Sequence, residues 1–94
     1  MFHERLRAAR LLRGMSQVEL ARELGVTKQS VSNWENDNIL PSIEMLCRIA
    51  SCLSVSADYL VGLDDRKTID VSDLDDRTVA HFQLLIDDIR SQTR

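Results

Sequence analysis

Apolar positions recur along this chain at helical spacing, not at the alternation of a strand. The first stretch covers residues 2 to about 13, where Phe2, Leu6, Ala9 and Leu12 or Arg13 fall near one helix face. Gly14 ends it, as a glycine in a left-handed position after a helix would. Ser16-Gln17-Val18-Glu19 reads as a capping box, in which the Ser oxygen takes a backbone N–H and Glu19 reaches back. It opens a short helix over about 17–24, with Val18, Leu20, Ala21 and Leu24 as its apolar positions and Gly25 closing it. Thr27 then serves as N-cap for a third helix, 28 to about 36.

Asn36-Asp37-Asn38 breaks that helix, and Pro41-Ser42 starts a fourth over about 43–53. Its Leu46, Ile49, Ala50 and Leu53 keep the i, i+3, i+4, i+7 rule. A small fifth helix follows Val55-Ser56, with Asp58 in its first turn, where negative charge suits the helix dipole. Tyr59, Leu60 and Leu63 are expected to close the core, and Gly62 to end the helix. Residues 64–73 are polar and aperiodic, which predicts a linker. Helical spacing returns over about 75–91 through Val79, Phe82, Ile86 and Ile89, with Leu85 widening the stripe. Its cap is Ser72, Asp73 or Asp75, and Asp75 and Asp76 at its start and Arg90 and Arg94 at its end suit the dipole. The expected architecture is all-α: a five-helix domain over 1–63, a linker over 64–73 and an amphipathic C-terminal helix within 74–94.

The second and third helices, joined by Gly25-Val26-Thr27, form a helix-turn-helix unit with glycine in the turn. Small Ala21 permits close approach of the two helices, and Val26 and Val31 plug the angle between them. In such a unit the third helix enters the major groove, and outward side chains near its N-terminus meet base edges. Val31 and Trp34 point inward, leaving Lys28, Gln29, Ser32 and Asn33 outward. Gln and Asn can bond adenine N6 and N7 together, and Lys can donate to guanine O6 and N7. Gln17, at the start of the second helix, and Ser30 suit phosphates. Acidic residues are absent from 26 to 34, unlike an ordinary solvated face carrying Glu/Lys pairs.

A net charge of −3 at first argues against a nucleic-acid partner. Its distribution changes the picture, because residues 1–63 hold seven basic and seven acidic side chains, and 64–94 hold five basic and eight acidic. Within the first helix Arg5, Arg7, Arg10 and Arg13 oppose only Glu4, so the front of the chain can meet phosphates. Composition is otherwise that of an ordinary globular domain, 44% hydrophobic and 29% charged, with three Gly and one Pro. No run of about 18 apolar residues would span a membrane, and the first residues lack the apolar stretch of a signal peptide. A cytoplasmic location is the expectation. Cys47 and Cys52 are five residues apart, which suits neither a CxxC pair nor a zinc site. Both are expected to be small, half-buried apolar residues in a reducing compartment. His3 and His81 lie in no motif with a nucleophile or a carboxylate partner, and no glycine-rich phosphate loop exists, so no catalysis, metal or cofactor is expected.

Residues 1–63 closely resemble the Cro and phage-repressor type, or XRE-like, helix-turn-helix family, whose domain is lambda-repressor-like. The resemblance rests on Arg10-Leu-Leu-Arg-Gly-Met-Ser-Gln, Glu19-Leu-Ala, Leu24-Gly-Val-Thr, Val31-Ser-Asn-Trp-Glu-Asn, Pro41-Ser and Asp58-Tyr-Leu-Val-Gly, in order and at matching spacing. It implies a regulator of transcription that binds double-stranded DNA, with Gln17, Lys28, Gln29 and Asn33 facing DNA and Ser30 and Asn36 on phosphate. With Thr27 and Ser32, these complete the candidate DNA-binding set. The resemblance also implies an internal ion pair between Arg10 and Glu35. One departure matters: the family commonly continues Trp-Glu-Asn with Gly and then a basic residue, whereas this chain reads Asp37-Asn38-Ile39. A carboxylate in place of a phosphate-binding cation predicts modest non-specific affinity and a shallow salt dependence.

The C-terminal helix has two readings, folding back on its own domain or pairing with a second copy through Val79, Phe82, Leu85, Ile86 and Ile89. Pairing has a physical motive, since two linked half-sites multiply the specificity of one short recognition helix. The expected activity is repression as a homodimer on a palindromic operator. The alternative is an antitoxin-type interaction module whose acidic tail binds a partner protein while the domain regulates its own operon. A scaffold that has lost DNA binding is a third possibility, raised by Asp37.

Overall fold

The computed structural model describes residues 1–66 and 68–92, and these form six α-helices without a strand. They are α1 (Phe2–Leu12), α2 (Gln17–Leu24), α3 (Lys28–Glu35), α4 (Ile43–Leu53), α5 (Ala57–Val61) and α6 (Asp76–Gln92). The all-α class and the order of elements are those the periodicity predicts.

Side-chain caps explain where most of these helices begin. Ser16, Thr27, Ser42 and Ser56 each accept the backbone N–H three residues on, from Glu19, Ser30, Met45 and Tyr59, at 3.0–3.1 Å. The capping box on α2 is complete, because the Ser16 N–H donates to Glu19 Oε1 at 3.1 Å. Those bonds hold the Glu19 carboxyl below its usual range, led by the one from the Ser16 backbone. For α6 the sequence left three caps open; the Thr78 N–H donates to Asp75 Oδ1 at 2.9 Å, which selects Asp75. Gly25 ends α2 in the left-handed region at φ 68°, where a side chain would be strained. Arg48 of α4 donates to the Leu24 carbonyl at 2.6 Å, satisfying an acceptor that the end of α2 leaves open.

One core joins the first five helices. Leu6 and Ala9 of α1 meet Leu20, Ala21 and Leu24 of α2, Val31 and Trp34 of α3, Ile49, Ala50 and Leu53 of α4, and Leu60 of α5. Val26, Leu46 and Tyr59 pack partly buried against it. Helices α2 and α3 form the most closely packed pair. Burying an aliphatic side chain of this kind contributes about 1.5–3 kcal/mol, so the Leu6–Leu20–Val31–Ile49 centre is what fixes the angle between α2 and α3.

Four expectations need correction. Leu12 is 86% exposed, because the buried face of α1 continues from Leu6 to Arg10, one turn on, instead of to Leu12. Val18 is exposed, standing on the opposite side of α2 from Leu20. Leu63 does not close the core and is 79% exposed. Left-handed Gly62 reverses the chain, tying the Leu63 N–H to the Asp58 carbonyl at 2.8 Å and turning its side chain outward. Cys47 is exposed, while Cys52 is half-buried as expected, and burial pushes its thiol pKa up. Helix α6 buries none of its residues. Arg94, assigned to its dipole, lies outside the described residues.

Candidate nucleic-acid interface

The α2–turn–α3 unit leaves one face of α3 open. Lys28, Gln29 and Asn36 are exposed, Ser30, Ser32 and Asn33 are half-buried, and Val31, Trp34 and Glu35 are buried. The split follows from 3.6-residue periodicity around a helix whose inner stripe is Val31–Trp34–Glu35.

The outward residues are paired with one another. Gln29 Nε2 donates to Asn33 Oδ1 at 3.0 Å, so two amides four residues apart are held side by side. Gln29 retains its acceptor oxygen and one N–H, and Asn33 retains both N–H groups, an adenine-matching set. Asn36 Nδ2 donates to Ser32 Oγ at 3.2 Å, and the Thr27 and Ser30 hydroxyls lie 3.0 Å apart at the N-terminus. Lys28 makes no ion pair among the described residues, so its ammonium stays available to an outside anion.

Gln17 occupies a different position from the rest. It is half-buried at the start of α2, and its Nε2 donates inward to Glu35 Oε1 at 3.2 Å. Glu35 is bound in turn by Arg10, whose Nε donates to Oε2 at 2.6 Å and Nη2 to Oε1 at 2.9 Å. Arg10 Nη1 donates to the Met15 carbonyl at 2.7 Å. The ion pair implied for Arg10 and Glu35 is therefore formed, and the carboxylate raises the arginine pKa further. Gln17 links this buried pair to the open face; only tertiary pairing reveals that.

Asp37 terminates α3 with φ 59°, in the left-handed region. His3 of α1 stands between two exposed carboxylates, with Nδ1 3.8 Å from Asp37 and Nε2 3.7 Å from Glu4. Carboxylate neighbours for His3 are a correction to the sequence reading. Among the described residues no group of three His, Cys, Asp or Glu side chains is placed to hold a metal ion, and no helix is long and apolar enough to cross a membrane.

A family model described as helix-turn-helix matches residues 6–60, from within α1 to within α5. The chain belongs to that helix-turn-helix family. Its relatives are DNA-binding transcription regulators of phage-repressor, or XRE, type. The regulator ImmR of Bacillus subtilis (strain 168) is 33% identical over 76 residues, covering 81% of this chain and 60% of the relative. The chain thus spans little more than half the length of the curated relatives it matches, 56–60% of the first three. The P22 c2 repressor, solved in complex with a synthetic operator, superposes with a TM-score of 0.65 at 33% identity, covering 68% of this chain and 97% of that one. A chain of the SinR–SinI protein complex gives 0.63 at 25% identity, and covers 97% of this helix-turn-helix chain and 99% of its own length.

Proposed function

We propose that this chain is a sequence-specific regulator of double-stranded DNA, acting in the cytoplasm as a homodimeric repressor on a palindromic operator. The observation that carries the reading is the open face of α3, where Gln29 and Asn33 are held side by side next to a cation with no ion-pair partner among the described residues. Lys28, Gln29 and Asn33 read bases, with Ser32 beside them; Gln17, Thr27, Ser30 and Asn36 hold phosphates. The likeness to a P22 c2 repressor bound to operator supports this docking. The protein works by binding, without catalysis or cofactor. Residues 1–63 form the DNA-binding domain and 64–73 the linker, and α6 pairs two copies. Support for pairing comes from Phe82, Leu85, Ile86 and Ile89, which stay exposed along one stripe of α6 with half-buried Val79 at its head.

A second reading has the same face of α6 bind a different protein. The likeness over nearly the whole chain to a member of the SinR–SinI complex favours it. The deciding experiment is a gel shift on the gene's own upstream region, with and without Lys28→Ala and Gln29→Ala, alongside sedimentation of the protein alone. Specific retardation lost in both variants and a sedimenting dimer support the first reading. Unaltered retardation in the variants sinks the α3 assignment, and a monomer sinks the pairing.

A further inference from the structure

Arg5 sits on α1 and makes three long-range hydrogen bonds. Its Nη1 donates to the Tyr59 carbonyl at 2.7 Å and to the Asp64 carbonyl at 3.0 Å. Its Nη2 donates to Asp65 Oδ1 at 2.6 Å. The guanidinium also lies over the Tyr59 ring, 4.6 Å from the centroid. Its side chain is only 20% exposed. One planar fork therefore ties the last helix of the domain to the first residues of the linker, a geometry that a lysine cannot reproduce.

A local clasp follows the fork. Asp64 accepts from the Arg66 backbone and guanidinium at 2.9–3.2 Å. Thr68 and Ile69 line an open groove with Ala8, Leu12, Val55 and Tyr59, and Ile69 itself is 79% exposed. Without the fork, the backbone bonds of the Leu63 and Asp64 N–H groups to the Asp58 carbonyl hold the chain only as far as Asp64. With it, Asp65 is held as well, and the fork sets the point at which the chain leaves the domain. A tether with a fixed point of departure narrows the distances at which two linked domains can bind together, and raises their effective concentration there.

We propose that Arg5 is a positioning residue that fixes where the tail leaves the domain and so selects the separation of operator half-sites. This rests on the pairing of two copies through α6 proposed above. Contact with DNA is not required of Arg5; its role is to fix the point at which the linker departs.

The test uses full-length protein and palindromic duplexes built from a half-site selected by the wild-type chain, set at successive separations around one helical turn. Wild-type protein is expected to prefer one separation sharply. Arg5→Ala should remain a dimer and bind an isolated half-site within about two-fold of wild type, while affinity at the preferred separation falls about 5- to 10-fold and the profile flattens. Arg5→Lys, which keeps the charge but not the planar fork, should show the same flattening and serves where the alanine variant unfolds. A dimer whose separation profile is unchanged in Arg5→Lys overturns the proposal while leaving the pairing intact. A wild-type chain that sediments as a monomer removes the pairing and this proposal with it.

Discussion

Arg10 and Glu35 meet across 25 residues of chain in a two-pronged ion pair with both residues 6% exposed. A pair so placed is costly to break, since removing one partner strands a charge in the core. Arg10→Met is expected to lower stability by about 3–5 kcal/mol, and Arg10→Met with Glu35→Leu to recover much of that loss. Urea denaturation of both variants checks it. A loss under about 1 kcal/mol in the single variant would mean that water reaches the carboxylate.

The Gln29–Asn33 bond has a consequence for base reading. Each alanine substitution should weaken operator binding by about 1–3 kcal/mol with little effect on the melting temperature, as expected for amides on the outward face of α3. Because each amide orients the other, the two losses should not add; the double variant should fall short of their sum by at least about 0.5 kcal/mol. Strict additivity would show that the bond does not persist on DNA.

How much of this was legible in the sequence depends on the range of the contact. The caps at Ser16 and Thr27 act over three residues, so their spacing gave them away. The inner stripe of α3 was equally plain, because Val31 and Trp34 follow helical period. Leu63 was misjudged because its apolarity says nothing about the chain reversal at Gly62. The hold of Gln17 on Glu35, and of Arg5 on Tyr59, Asp64 and Asp65, spans 18 and 54–60 residues. No local pattern encodes such pairs. The Arg10–Glu35 pair is of the same kind, and became legible only through the resemblance to a family.

Asp37 places a carboxylate at the end of α3 in a backbone conformation that favours glycine. Asp37→Gly should raise stability by about 1 kcal/mol or less. Asp37→Lys instead restores a cation beside the expected phosphate path. It should tighten non-specific DNA binding and steepen the dependence of log affinity on log salt by about 0.9 per subunit. Titrations across salt concentration measure both. An unchanged slope would place Asp37 away from the phosphates.

Asp75 caps α6 with its pKa held below the usual carboxylate range, chiefly by the bonds to Thr78. A carboxyl depressed in the folded state contributes stability above its unfolded pKa, and loses it as pH falls through the folded one. Acidification through and below the ordinary aspartate range should therefore fray α6, and circular dichroism would record the lost helicity. Asp75→Asn keeps a good cap without the titration, so its helicity should depend less on acid. Equal acid sensitivity in both proteins would assign the fraying to other carboxylates.

Helix α6 buries none of its own residues, so the pairing proposed for it can be tested apart from folding. Ile86 is 38% exposed and Phe82 50% exposed on the stripe assigned to pairing. Ile86→Asp should leave the melting of the α1–α5 domain within about 0.5 kcal/mol of wild type, as for a surface change. In a dimer it would place two carboxylates in an apolar seam, where each unpaired charge is strongly disfavoured. The variant should then sediment as a monomer and keep half-site affinity, while losing about 100-fold or more on a palindromic operator as the linkage advantage disappears. If Ile86→Asp instead unfolds the α1–α5 domain, the tail folds back onto its own chain. If it stays dimeric, the seam lies elsewhere.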